Sequence, residues 1–121
     1  MNFTEYQNLA LSTAIYPMMY KKVYPALGLC GEAGEVAEKI KKSIRDGLDY
    51  HEEKQFKEDL TKELGDVLWY VAALANDLDI SLNEIAEKNL QKLASRKKRN
   101  KIGVSGDNRW NWLKFMIGNG D

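Results

Sequence analysis

Lys62-Glu63-Leu64-Gly65-Asp66-Val67-Leu68-Trp69-Tyr70-Val71-Ala72-Ala73-Leu74-Ala75 sets two acids three residues apart against a run of nine residues without a charge. With Leu60 before it and Leu78 after it, the apolar positions recur at helical spacing. A helix that is apolar all round is a buried helix. Glu63 and Asp66 therefore sit at the mouth of a buried segment. At about 100° per residue, a step of three places both side chains on one face. Acids held so close repel one another and resist ionising unless a cation joins them. The nearest basic residues, Lys57 and Lys62, lie on earlier turns, so a metal is the simpler partner.

A second pair, Glu32 and Glu35, lies upstream at the same spacing. It belongs to a segment in which Leu29, Ala33, Val36, Ala37, Ile40 and Ile44 form an apolar stripe. Two such helices side by side aim four carboxylates into one cleft, and hard divalent cations take oxygen ligands of this kind. Helical bundles build metal sites from carboxylates on facing helices. The plain alternative is that acids three apart on a helix are solvated surface. Gly28, Gly31 and Gly34 weigh against it, because each interior glycine costs a helix roughly 1 kcal/mol relative to alanine. At spacing three they leave a strip without side chains, where a phosphate chain or another helix can approach.

The rest of the chain is read around these two helices. Thr4 with Gln7 forms a capping-box pattern opening a first helix over 5–15. Residues 16–24 read as an aromatic loop broken by Pro17, and Pro25 suits the first turn of the second helix. Gly47 is a C-terminal cap, and the acidic stretch 49–58 reads as a loop or the start of the third helix. Ser81 with Glu84 opens a fourth helix over 82–98, and the glycine-bearing tail 100–121 reads as irregular. The expectation is a single all-α domain over 1–121, four-helix-bundle-like. The all-round apolar third helix is hard to cover from one chain of 121 residues, which argues for a homo-oligomer.

Composition excludes several classes. Eighteen basic residues balance eighteen acidic ones, which gives no general pull toward nucleic acid or anionic membrane. The basic cluster 96–101 is read on that ground as something other than a nucleic-acid site. No apolar run approaches the about 20 residues needed to span a bilayer. The N-terminus carries no signal-peptide pattern, and the single cysteine, Cys30, suits a reducing cytoplasm better than a disulfide-forming compartment. Cys30 reads as a buried small hydrophobe, and His51, the one histidine, lacks partners for a zinc site.

Gly31-Glu32-Ala33-Gly34-Glu35 followed by Lys62-Glu63-Leu64-Gly65-Asp66-Val67-Leu68 resembles the MazG-type branch of the all-α nucleoside triphosphate pyrophosphohydrolases. The shared pattern is ExxE, a spacer, then ExxD on adjacent helices, and the resemblance spans roughly 24–99. Some members carry a further acid just before the first pair, where this chain has Gly31. The resemblance implies a helical bundle that assembles into dimers or tetramers. It implies magnesium, with manganese as the alternative ion, and hydrolysis of nucleoside triphosphates to monophosphate and pyrophosphate, often of non-canonical or surplus nucleotides. It also implies Glu32, Glu35, Glu63 and Asp66 as the metal ligands.

Within that scheme Glu35 is the candidate to orient or deprotonate the attacking water. Asn89, Lys92 and Arg96 share a face of the fourth helix and suit phosphate oxygens, or else form a solvated basic helix end. Lys39 reaches either a phosphate or a partner in Glu35 or Glu38. Tyr70, one turn past Asp66, either touches the nucleotide or packs in the core. Tyr16, Tyr20, Tyr24, Trp110 and Trp112 are the aromatics suited to a base. The rival from another class is a non-enzymatic helical binding or assembly module, with solvated acids and glycines serving as packing notches.

Overall fold

A computed structural model describes residues 1–48 and 50–99, with the side chains of Tyr50 and His51 outside that description. The tail, with Trp110 and Trp112, also lies outside the described residues. Among the described residues there are four α-helices, one short 3-10 turn and no strand. The helices are α1 (Phe3–Leu11), α2 (Val23–Asp46), α3 (Tyr50–Asp77) and α4 (Leu82–Lys98), and the 3-10 turn is Met18–Tyr20. The chain divides into a first compact unit, Met1–Asn83, and a second that begins at Glu84.

α1 starts earlier than the sequence suggests. Its cap is Asn2, whose side chain accepts from Glu5 N at 2.9 Å while the Glu5 carboxylate accepts from Asn2 N at 3.2 Å. Thr4 and Gln7 are not that box. The helix stops at Leu11 because the Ser12 and Thr13 hydroxyls donate back to Leu9 O and Ala10 O, at 2.6 and 2.7 Å.

α2 begins at a strained point. Lys22 holds φ 68° and ψ −47°, with Val23 N donating to Lys21 O at 2.7 Å, a γ-turn. Pro25 follows inside the first turn, where its missing N–H costs nothing. Gly47 ends α2 at φ 70°, a conformation open to glycine. The expected apolar stripe is only partly covered. Leu29 and Val36 are half-buried, whereas Ala33, Ala37, Ile40 and Ile44 are exposed, Ile44 to 80%. They fall off the line along which α2 packs on α3.

α3 spans 28 residues and takes in most of the acidic stretch, so of the two readings, loop or helix start, that stretch is the start of the helix. Glutamates, lysines and Gln55 are good helix formers, and pairs such as Gln55 with Asp59 (3.0 Å) hold that turn together. α3 packs against both α1 and α2. Its C-terminal part is the core of the first unit: Ala72 and Ala73 are fully buried and Ala75 nearly so, small residues that let neighbours come close. Leu64, midway along the helix, and Leu78, just past its end, stay about half exposed. The helix ends in a Schellman turn, with Ile80 N donating to Ala75 O (2.9 Å) and Asp79 N to Asn76 O (3.0 Å). Asp79 takes the left-handed position at φ 58°.

Candidate active site

α2 and α3 bring the two acid pairs together. Glu32 on α2 and Glu63 and Asp66 on α3 each offer a carboxylate oxygen, and the three oxygens lie within 4.8 Å of one another. Glu35 is exposed and stands outside this group, although its charge still acts on Glu32. Burial raises the Glu32 carboxyl above its usual range. The charges of Asp66, Glu63 and Glu35 push it in the same direction, as does a hydrogen bond with Glu63. Three carboxylate oxygens gathered this closely fit a hard divalent cation.

Lys39 reaches this group across the helix pair. Its Nζ lies 3.5 Å from Glu63 Oε1, so its partner is Glu63 and neither Glu35 nor Glu38. Glu38 is held instead by Lys41 at 2.9 Å and Lys42 at 3.7 Å. A separate hollow of about 280 Å³ along the same helices shares Lys39 and contains none of the three acids.

Beside the acids stands a wall of aromatic rings. A cleft of about 390 Å³ is lined by Thr13, Glu32, Asp66, Trp69 and Tyr70. The Trp69 indole N–H points to Ala10 O and Thr13 Oγ1, each at 3.0 Å, which fixes the ring against the end of α1. Trp69 meets Tyr70 edge-on at 5.0 Å. Tyr24 lies 6.5 Å from Tyr70 and stacks on Tyr16 at 4.9 Å with the planes 14° apart. Burial raises the Tyr70 phenol, and Tyr24, Glu32 and Asp66 add to the shift. Tyr6 on α1 is raised too, by burial and then by the charge of Asp66.

Sequence reasoning named Tyr70 and missed Thr13, Trp69 and Tyr6. Trp69 lay inside the apolar run and read as core. Its indole N–H, which needs a polar partner wherever it is buried, was the available signal. Asn89, Lys92 and Arg96 all lie on α4 in the second unit, Asn89 and Lys92 exposed and Arg96 partly covered. Cys30, read as buried, is exposed.

The glycines divide by environment. A Cβ on Gly28 would run into the Tyr70 ring, whereas nothing outside their own helices comes within 4 Å of a Cβ on Gly31 or Gly34. Gly28 is thus the notch that seats Tyr70 beside the acids. Overpacking costs about 1–3 kcal/mol, against a helix gain of roughly 1 kcal/mol. Gly28→Ala is therefore expected to lower the melting temperature by a few degrees, and Gly34→Ala to raise it. Two thermal melts check this pair; a Gly28→Ala protein melting above wild type would mean that Tyr70 yields.

An all-helical chain that gathers carboxylates from two adjacent helices beside aromatic rings has the build of an all-α nucleotide-hydrolysing domain. Residues 25–100 match the MazG nucleotide pyrophosphohydrolase domain, and the chain belongs to that family. At family level it is a hydrolase of the nucleotide pyrophosphohydrolase type. It is 49% identical over 110 residues to the "Gene 37 protein" of Mycobacterium phage L5, covering 86% of this chain and 96% of that protein. No solved structure matches it significantly. Among the described residues no helix is long and apolar enough to cross a membrane.

Proposed function

We propose that the protein hydrolyses nucleoside or deoxynucleoside triphosphates to monophosphate and pyrophosphate with magnesium, or manganese in its place, and so clears non-canonical or surplus nucleotides. The observation that carries the reading is the three-oxygen group of Glu32, Glu63 and Asp66, of which Glu32 and Asp66 line the same cleft as Trp69 and Tyr70. Those three carboxylates hold the ion, and Glu35 beside them completes the set. When bound, the ion supplies positive charge to the triphosphate and makes a nearby water a better nucleophile at neutral pH. Glu35, exposed and within reach of the group's field, orients that water and takes its proton. Lys39 exchanges Glu63 for a phosphate oxygen, a point charge offered where negative charge builds up. Tyr70 and its ring neighbours face the nucleoside. Asn89, Lys92 and Arg96, by the family resemblance, serve the phosphate chain.

The test is to incubate the protein with mixed deoxynucleotides and magnesium and to separate the products. Monophosphate and pyrophosphate in equal amounts are expected. Diphosphate with inorganic phosphate would remove the claim, and no turnover at all would favour the non-enzymatic helical module.

We also propose a homo-oligomer, dimer or tetramer, working in a reducing cytoplasm. The exposed apolar residues of α2, Leu27, Ile40 and Ile44, support it, since a second copy would cover them. Light scattering at micromolar concentration is expected to give a multiple of the 13.8 kDa chain mass; the monomer mass would count against it.

A further inference from the structure

Asp77, on the last turn of α3, is a buried carboxylate that the chemistry above does not use. Its Oδ2 accepts from the Tyr16 hydroxyl at 2.9 Å and from Lys22 N at 2.8 Å. Among the described residues it makes no ion pair, so a charged group is held in the interior by two neutral donors. Both donors come from the segment between α1 and α2. One is the amide of Lys22, the residue bent into the strained γ-turn that launches α2. The other is the phenol of Tyr16, whose ring lies flat on Tyr24. Tyr24 leans on Tyr70, and Tyr70 lines the cleft with Glu32 and Asp66. Asp77 itself lines a different hollow, with Leu11 and Asn76.

We infer that Asp77 is a positioning residue for nucleotide binding: it pins Tyr16 and the Lys22 backbone, and through the ring series Tyr16–Tyr24–Tyr70 it fixes the aromatic side of the cleft next to the acids. The inference rests on the proposed hydrolysis for its activity readout only. A carboxylate suits the task because it accepts from both donors at once with charge-assisted bonds, and the pin restrains rings that would otherwise turn about their own torsions. Its effect falls on substrate binding, since its bonds go to Tyr16 and Lys22 and to none of the acids.

The test compares wild type, Asp77→Asn, Tyr16→Phe and the double variant. Steady-state hydrolysis of deoxynucleotides in magnesium is measured together with calorimetric binding of the same deoxynucleotides in calcium. Asp77→Asn is expected to raise KM roughly tenfold with kcat within about twofold. Tyr16→Phe, which keeps the ring and the Lys22 bond, is expected to raise KM by less. The double variant is expected to match Asp77→Asn, because both act along one route. A merely structural role would lower the melting temperature and leave KM unchanged, and that result overturns the inference, as do effects on KM that multiply. If Asp77→Asn does not fold, an unchanged KM in Tyr16→Phe overturns it equally. If wild type binds nucleotide without hydrolysing it, the proposed reaction falls and the dissociation constants of the variants decide the inference. If wild type neither binds nor hydrolyses, both fall.

Discussion

Asp66→Asn is expected to cut hydrolysis by at least about a hundredfold and, at the same time, to raise the melting temperature of the metal-free protein. The rate loss follows from removing an ion ligand, since even the outer partners of such ligands are worth about 10–100-fold. The gain in stability follows from crowding. Asp66 is the foremost of the charges that raise the Glu32 carboxyl, ahead of Glu63 and Glu35. An amide of nearly the same shape removes that repulsion and opens no cavity. Magnesium reverses the order. A ligand that binds only the folded state at 100 times its dissociation constant adds about 2.7 kcal/mol, on the order of 10 °C for a chain of this size. Wild type gains that shift, and Asp66→Asn gains much less.

The pH dependence of the metal-free protein has a definite sign. Glu32 titrates above its unfolded value, so the folded state binds its proton more tightly than the unfolded chain does. The penalty is full above the raised pKa, shrinks as pH falls through it, and is gone below the unfolded value. The stability advantage of Asp66→Asn over wild type is therefore largest near neutrality and narrows on acidification. Other carboxylates run the opposite way: Glu38 is lowered by Lys41 and Asp46 by Arg45. The difference between the two proteins cancels those groups. Melting curves of both, in EDTA and in magnesium, at neutral and mildly acidic pH, decide it. Should the mutant melt lower in EDTA, with magnesium shifting both equally, Asp66 is a structural acid.

What the sequence disclosed was periodic, and what it hid was tertiary. The ExxE and ExxD pairs, the helices that bear them, the stop at Gly47 and the bounds of α4 follow from helical spacing and one glycine, and the structure has them so. The family was legible from the same residues. The start of α3 was obscured because residues 50–58 lack an apolar stripe, although Glu, Lys and Gln are sound helix formers. Periodicity put Glu32 and Glu35 on one face, yet a spacing cannot say which side chain turns inward. Glu32 joins the two α3 acids and Glu35 remains exposed. Lys39 crosses to Glu63 on the other helix, a partner that no local pattern could supply. Asp77 was invisible for the same reason, since both of its donors lie more than 50 positions away in the chain.

Gln7 is another residue that the sequence misplaced, and its replacement is expected to cost the most stability. It reads locally as the glutamine of a capping box, but the structure buries it and gives it partners far along the chain. Its Nε2 donates to Ala72 O at 3.3 Å and Ile80 O at 3.1 Å, and its Oε1 accepts from Leu82 N at 2.8 Å. Leu82 opens α4, and the first amides of a helix have no partner within it. Gln7 therefore caps one helix from the side of another, and it ties α1 to the turn after α3. Gln7→Leu keeps the bulk and removes all three bonds. A buried amide left unsatisfied costs about 1–3 kcal/mol, and two carbonyls lose a donor as well. A loss of about 2–4 kcal/mol is expected, read as a fall in the denaturation midpoint, with faster hydrogen exchange at Leu82 N. Gln7→Glu separates bonding from volume. Its carboxylate still accepts from Leu82 N but donates to neither carbonyl until protonated. The protonated form is thus favoured in the fold, which raises the carboxyl above its unfolded value, so this variant is weak at neutral pH and recovers as pH falls. A Gln7→Leu protein within about 0.5 kcal/mol of wild type, the range of an ordinary surface substitution, would show that the three bonds add nothing.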